Sequence, residues 1–128
     1  MFIDTHSHLF NNYYDNIEEV IENAKNNNIE RIIINGCDMK SNKEVLSLIE
    51  KYDILYGTLG FHPTELEDYR EEDLCWLEKN LTNEKIVAIG EIGLDYHYDN
   101  TYKELQQDVF KKQILLAKKY NLPIVVHS

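Results

Sequence analysis

The sequence has few of the residues that cross-link or interrupt small folds, with two cysteines, two prolines and five glycines among 128 residues. Cys37 and Cys75 are far apart and have no closely spaced ligand partner, so neither a disulfide framework nor a thiolate zinc site is expected. The chain also lacks the run of about eighteen apolar residues that a membrane-spanning helix needs. The N-terminus lacks the basic and then apolar pattern of a secretion signal. We therefore expect a cytoplasmic protein with reduced thiols.

Basic residues are scarce as well. The chain carries 13 Lys and Arg against 23 Asp and Glu, which gives a formal net charge of −10. Nonspecific affinity for nucleic acid normally comes from basic side chains that displace counterions from phosphates, so this charge should repel a phosphate backbone. If the substrate is a nucleic acid, metal ions must supply much of the local attraction. The length and the 43% hydrophobic content fit a single domain over residues 1–128.

The chain does contain a regular alternation of short β-branched runs with amphipathic segments. This alternation is typical of repeated βα units on a parallel sheet. The candidate strands are residues 2–4, 31–35, 55–60, 87–90 and 124–127. Their largely apolar centres suit strands that are covered on both faces. The predicted fold class is therefore parallel α/β.

The first two helices are predicted from apolar residues at helical spacing between the first three strands. Asp15 is placed to cap the first helix, and Ser41 with Glu44 has the spacing of a capping box at the start of the second. Residues 26–28 and the acidic stretch 65–73 are expected to form surface loops.

Two more helices are predicted further along the chain. Leucines at helical spacing within residues 74–81 indicate a third helix. Thr101 with Glu104 is expected to open a fourth helix. Pro123 then prevents that helix from continuing into the fifth strand.

His6 and His8 follow the first predicted strand. In parallel α/β folds the carboxyl ends of the strands meet at one rim, where catalytic and ligand-binding residues usually lie. Residues two apart in an extended segment project to the same side, so this pair could hold one cation. Neutral imidazoles suit Zn, Mn, Co, Ni or Fe. An H-x-H pair alone is a weak signal, because ordinary exposed or hydrogen-bonded histidines are more common.

Glu91 follows the fourth predicted strand and lies between Gly90 and Gly93. A solvated surface glutamate is the simpler interpretation. However, a carboxylate that leaves an apolar strand is costly to bury unless it is paired, and a glutamate can bridge two cations. The nearby glycines would let backbone and ligands approach closely.

Other polar residues follow the remaining predicted strands. His62 follows the third strand and His127 ends the fifth, so histidines or an acid end four of the five strands. Asp38 follows the second strand, where a turn or cap role is as plausible as a functional one. Asp95, Tyr96 and His97 could contact substrate or orient a metal ligand, or could form only a helix-entry loop.

Four ordered motifs carry a family resemblance that runs from one end of the chain to the other. They are IDTHSH at residues 3–8, GFHPTE at 60–65, AIGEIGLDY at 88–96 and LPIVVHS at 122–128. Together they resemble the TatD family of metal-dependent deoxyribonucleases. The segment FKKQILLA at residues 110–117 is similar to that family's helix before the fifth strand.

The resemblance implies a distorted TIM-like (β/α)8 barrel that hydrolyses phosphodiester bonds in DNA with two divalent metal ions at its carboxyl face. The ions could be Zn, Mg, Mn, Co or Ni. By this resemblance His6 and His8 bind one ion, Glu91 bridges both, and His127 binds the second. Such ions would polarise the phosphoryl oxygens and activate a water, which would reduce the need for basic residues.

The resemblance also implies roles for three residues beside those ligands. His62 is expected to contact the substrate phosphate and, with Glu91, to be a catalytic residue. Asp95 and Tyr96 are expected to be lesser substrate-binding residues.

The chain is about half as long as the family pattern requires, since a (β/α)8 barrel typically needs about 250 residues. We expect the chain to form a half-barrel of about four βα units plus a fifth strand. This half-barrel would lack a further histidine ligand and the aspartate that the family uses near the attacking water. An open sheet of this kind would have two exposed edges. We therefore expect a metal site with impaired activity, and a chain that associates with a second copy or is poorly soluble.

Two alternatives from other functional classes stay open. The chain could be a catalytically inactive half-barrel that only binds metal or self-associates. It could instead be an amide or ester hydrolase of the wider amidohydrolase-like superfamily, whose barrels place similar histidines at the strand ends. The motif around Glu91 lacks the lysine that some of those relatives carbamylate, which argues mildly against the second alternative.

Overall fold

The structure is a computed structural model that describes residues 1–97 and 100–128. Its strands are β1 (Phe2–Ser7), β2 (Ile29–Asn35), β3 (Leu55–Leu59), β4 (Ile86–Gly93) and β5 (Ile124–His127). The α-helices in the described ranges are α1 (Ile17–Asn26), α2 (Met39–Lys51), α3 (Glu71–Asn80) and α4 (Lys103–Lys119), and a 3₁₀ turn spans Pro63–Glu65. None of these helices is long and apolar enough to cross a membrane.

All five strands pair in parallel in the order β1-β2-β3-β4-β5. Each strand therefore lies beside its neighbour in the sequence, as in the wall of a (β/α)8 barrel. A doubly wound sheet would instead reverse its strand order at a switch point. The order confirms the predicted half-barrel of four βα units and a fifth strand.

Three strands are longer than predicted, of which β2 begins two residues early, at Ile29. β1 continues through Ser7, so that His6 lies in the strand itself. β4 continues through Gly93 and contains Glu91, because the glycines around the acid permit close strand contact instead of ending the strand. A Cβ on Gly90 would lie 2.6 Å from the Cβ of Val125 in β5. The prediction that these glycines allow close backbone approach is confirmed.

Both predicted N-caps of the first two helices were misplaced. The side chain of Asn16, and not that of Asp15, accepts a hydrogen bond from the Glu19 amide at the start of α1. In α2 the cap is Asp38, and Ser41 is the third helical residue of a reciprocal capping box. Asp38 therefore has the cap role that the sequence left open.

The later helix boundaries also needed correction. α4 begins at Lys103 and its N-cap is Tyr102, which makes no side-chain capping hydrogen bond, so Thr101 does not cap it. The acidic stretch predicted as a loop is partly helical, because α3 begins at Glu71. α4 ends at Lys119, before Pro123, as expected.

The core lies between the sheet and the helices, with β2, β3 and β4 mostly buried. The expectation that all strands are covered on both faces is wrong for β1 and β5. Phe2 and Ile3 of β1 are 65% and 49% exposed, and Ile124 and Val126 of β5 are 38% and 47% exposed. These two strands form the edges of the sheet, so each has a strand neighbour on one side only.

Candidate metal centre

Glu91 lies at the centre of the polar rim and is 7% exposed to solvent. Its backbone is held from across the sheet, because the Glu91 amide donates a hydrogen bond of 2.8 Å to the carbonyl of Gly36, the residue that follows β2. The Thr58 hydroxyl lies 2.7 Å from the Gly90 carbonyl and 2.9 Å from the Asn35 side-chain oxygen. The acid is thus presented from a hydrogen-bonded strand and not from a loose loop.

Four histidines surround the Glu91 carboxylate, two at each oxygen. The Nε2 atoms of His6 and His8 lie 2.9 Å and 3.5 Å from Oε1. His62 Nε2 and His127 Nδ1 lie 3.2 Å and 3.0 Å from Oε2. The structure therefore brings together all of the histidines that the sequence placed at strand ends.

The donor atoms fit divalent metal ions by both chemistry and spacing. His6, His8 and Glu91 form one set whose ligand atoms lie within 4.8 Å of one another, and His62, Glu91 and His127 form a second. Imidazole nitrogen with carboxylate oxygen is a ligand combination that zinc and similar ions accept. Because the two sets share Glu91 through different oxygens, the carboxylate is placed to bridge two ions.

The protonation states of the central residues also suit metal ligation. Burial acts to raise the pKa of Glu91, but His62, His6 and His127 outweigh it and hold that pKa below its ordinary value. Burial lowers the pKa of His62, and this outweighs the opposing effect of the Glu91 carboxylate. The ionised form of Glu91 is the form in which this carboxylate can hold a cation.

The orientation of His8 is set by a carbonyl. His8 Nδ1 lies 3.1 Å from the backbone oxygen of Asn35, which can only accept. The neutral ring therefore carries its proton on Nδ1 and leaves the lone pair of Nε2 directed at the Glu91 side. This tautomer is the one that a metal ligand at Nε2 requires.

His62 has the opposite tautomer. The backbone amide of Thr64 can only donate, and it lies 3.2 Å from His62 Nδ1, so that nitrogen accepts. The neutral ring then carries its proton on Nε2, the atom that faces Glu91. Distance alone would place His62 among the ligands, but this hydrogen bond leaves a proton and not a lone pair on the nitrogen that faces Glu91.

His127 lies between two carboxylates. Its Nδ1 atom faces Glu91, and its Nε2 atom lies 2.8 Å from Oδ2 of Asp95. A hydrogen bond from the His97 amide, followed by the contact with His127, holds the pKa of Asp95 below its ordinary value. An ionised Asp95 can accept the Nε2 proton and leave Nδ1 to bind a metal, in the manner of a carboxylate–histidine pair.

The surroundings of Tyr96 and Cys37 differ from those of the four histidines. The Tyr96 hydroxyl accepts a hydrogen bond of 3.0 Å from Gln107 and the Tyr96 ring faces Lys103, so this side chain contacts α4. Cys37 lines a cavity beside His8, and the cysteines are both free.

Several buried polar residues that support this rim were not found from the sequence. They are Asn35, Asn42, Thr58, Gln106 and Gln113, all less than 5% exposed. Amides and a hydroxyl at helical or strand spacing have no sequence signal that separates them from surface residues. The signal lies in their partners, which are mostly backbone groups of the strands and loops around Glu91.

A family model described as TatD related DNase matches residues 3–128. The chain belongs to this family. The histidines around Glu91 are among the residues that the family resemblance singles out. The match to the TatD family model covers nearly the whole chain.

Individual TatD-type relatives agree with this assignment. The chain is 47% identical over its whole length to the uncharacterized metal-dependent hydrolase YabD of Bacillus subtilis (strain 168), of which it covers 51%. It superposes on the crystal structure of YjjV, a TatD homolog from Escherichia coli K12, with a TM-score of 0.92 and 38% identity, over 99% of this chain and 50% of that one. It is 30% identical to deoxyribonuclease Tat-D of Schizosaccharomyces pombe, over 89% of this chain and 40% of that protein. The chain thus spans about half the length of the curated relatives it matches.

Proposed function

We propose that this chain is the metal-binding half of a two-ion phosphodiesterase that cleaves DNA. The observation that carries the proposal is the Glu91 carboxylate, each oxygen of which faces a different pair of histidines. Its membership in a family of metal-dependent hydrolases supports the reaction class. DNA as the substrate is supported by the Schizosaccharomyces pombe relative, which is named a deoxyribonuclease.

In this proposal His6, His8 and Oε1 of Glu91 hold one ion. Oε2 of Glu91 and Nδ1 of His127 provide ligands to the second. Two divalent ions there would polarise a phosphodiester and lower the pKa of an attacking water. Their charge would also offset the long-range repulsion between DNA and a chain whose net charge is −10.

The remaining residues position groups or protons. Asp95 accepts from Nε2 of His127 and keeps Nδ1 of that ring available. His62 keeps a proton on Nε2, from which it can donate to a phosphate oxygen and stabilise its negative charge. Tyr96 is a further substrate contact in this proposal, since it is only partly buried and directly follows Asp95.

Catalysis by the whole barrel is part of the proposal, because the chain covers half of its relatives. The family resemblance implies another histidine and an aspartate beyond the matched half. We therefore propose that the 128 residues bind metal but cleave DNA weakly on their own. We also propose that the chain self-associates through the β1 and β5 edges of its sheet. A cytoplasmic location is a further part of the proposal, since both cysteines are free.

A cleavage assay with labelled single-stranded and duplex DNA tests the function. We expect slow, metal-dependent cleavage that is removed by chelator and lost in Glu91→Gln. Glu104→Gln, an exposed acid on α4, is the matched control and should retain the wild-type rate. Metal uptake without any cleavage would favour a binding module, and turnover of an ester but not of DNA would favour the amidohydrolase alternative.

A further inference from the structure

Gln106 and Gln113 are two buried carboxamides on α4, 4% and 1% exposed. They are seven residues apart, about two helical turns, so both side chains project from the same face toward the sheet. Burying an amide is unfavourable unless its donor and acceptor are both paired. Both glutamines meet this condition with partners from outside α4.

Gln106 binds the backbone of Asp95 at two points. The Asp95 amide donates to Oε1 of Gln106 at 2.8 Å, and Nε2 of Gln106 donates to the Asp95 carbonyl at 2.9 Å. The side chain thereby pairs with one residue as a neighbouring strand would. This pairing fixes the backbone of the residue whose carboxylate contacts His127.

Gln113 makes the equivalent pair of bonds with Phe61. The Phe61 amide donates to Oε1 of Gln113 at 2.8 Å, and Nε2 of Gln113 lies 3.3 Å from the Phe61 carbonyl. Phe61 directly precedes His62. A third buried carboxamide, Asn42 of α2, binds both backbone groups of Gly60 in the same way.

We propose that Gln106 and Gln113 are positioning residues. Gln106 attaches α4 to the loop after β4, and Gln113 attaches α4 to the loop after β3. The rigid helix then sets the distance between those loops, so that His62 and His127 both reach Oε2 of Glu91 with ring centroids 4.3 Å apart. The proposal rests on the function proposed for the Glu91 site, although its test needs no bound metal.

The side chains are specific to this task. Glutamate would keep the acceptor and lose the donor, asparagine is one methylene shorter, and methionine keeps the shape and loses both bonds. Gln107 offers a matched control, because it is the next residue on α4, is exposed, and bonds to the Tyr96 hydroxyl.

The test is the ring ¹⁵N spectrum of the five histidines in the metal-free chain. In Gln106→Met we expect the His127 signals to move most of the way to their positions in Asp95→Ala, with the His62 signals unchanged. In Gln113→Met we expect the reverse, a shift of His62 with His127 unchanged. Gln107→Met should match the wild type.

In metal titrations, Gln106→Met should lower the affinity for any ion whose binding depends on His127 by about 10–100-fold, as the loss of other residues that orient metal ligands does. His127 signals that stay at the wild-type positions in a folded Gln106 variant would overturn the proposal. Shifts of both histidines in both variants would do the same, because they would show general loosening.

If Gln106→Met does not fold, Gln106→Glu replaces it. Failure of both to fold beside a folded Gln107→Met would assign Gln106 a purely structural role and reject the proposal. If the wild type binds no metal while the reciprocal shifts occur, the proposed function fails and the positioning role stands.

Discussion

Buried polar groups in this protein must be paired, because each loses its hydration when the chain folds. The amide and hydroxyl side chains beneath the Glu91 site meet this requirement through bonds to backbone atoms of nearby strands and loops, and Thr58 also bonds to the Asn35 side chain. The Tyr69 hydroxyl is an exception, since no hydrogen-bond partner for it occurs among residues 1–97 and 100–128. Burial also raises the pKa of Tyr69 to about 12, which reflects the same lack of solvation.

Removing that hydroxyl should stabilise the fold. We expect Tyr69→Phe to raise the free energy of unfolding by about 1 kcal/mol, since an unpaired buried hydroxyl costs roughly 1–3 kcal/mol. Urea unfolding followed by circular dichroism measures the change. The control is Tyr120→Phe, which removes a hydroxyl bonded to Glu78 at 2.9 Å and should not stabilise. A lower free energy of unfolding for Tyr69→Phe than for the wild type would contradict this account.

The two cysteines should differ in reactivity. Burial, and then the negative charge of Glu91, raises the pKa of the Cys37 thiol to about 12, whereas Cys75 is exposed on α3. Only the thiolate is nucleophilic, so at pH 8 alkylation of Cys37 should be slow and should speed up as the pH rises toward 12. Mass spectrometry of iodoacetamide-treated native protein should show one fast modification, lost in Cys75→Ser. Equal rates for both thiols in the folded chain would refute the expectation.

Among the secondary-structure elements, strands were predictable and helix starts were not. Most strands contain a short apolar or β-branched run, such as Ile32 to Ile34, that is recognisable without knowledge of its neighbours. A helix start depends on which of several adjacent polar residues has extended backbone angles, and Asp15 and Asn16 are chemically equivalent as caps. Asn16 has φ −138° and ψ 92°, which the composition of the segment does not determine.

The choice of cap can be measured on α1. Asn16→Ala should lower the free energy of unfolding by about 1 kcal/mol, because the Glu19 amide loses its side-chain acceptor. Asp15→Ala, one residue earlier, removes no capping bond and should change stability by less than about 0.5 kcal/mol. Thermal unfolding of the two variants measures these changes. A larger loss of stability for Asp15→Ala than for Asn16→Ala would show that Asp15 is the cap, as the sequence predicts.

For the whole molecule, the half-barrel order leaves β1 and β5 as sheet edges with exposed apolar side chains. Unpaired edge strands are templates for pairing with other chains. We expect sedimentation velocity to show association that grows with protein concentration and falls in the double variant Ile3→Lys, Val126→Lys. Leu115→Lys, at a 64% exposed position on α4, is the control and should associate like the wild type. A monodisperse monomer at every concentration would rule out this association.

The candidate site was predictable in its residues and less so in its geometry. His6 and Glu91 lie near the carboxyl ends of β1 and β4, His127 ends β5, and His8 and His62 follow β1 and β3. Parallel strands bring such residues to one rim. Which carboxylate oxygen each histidine faces depends on register shifts, such as the one between Ile89 and Ile92 in the β4–β5 pairing. The proton position on His62 depends on the fold of the Thr64 turn, for which the sequence has no pattern.

The central claim is that Glu91 and its histidines form a metal centre. Equilibrium dialysis with elemental analysis, using Zn²⁺ or Mn²⁺ and the folded 128-residue chain, tests it most directly. The account predicts that the wild type retains divalent metal and that Glu91→Gln binds it about 100-fold more weakly or worse, since even outer-shell losses cost 10–100-fold. Metal uptake that is equal in the wild type and in a folded Glu91→Gln variant, or absent from the wild type, would contradict it.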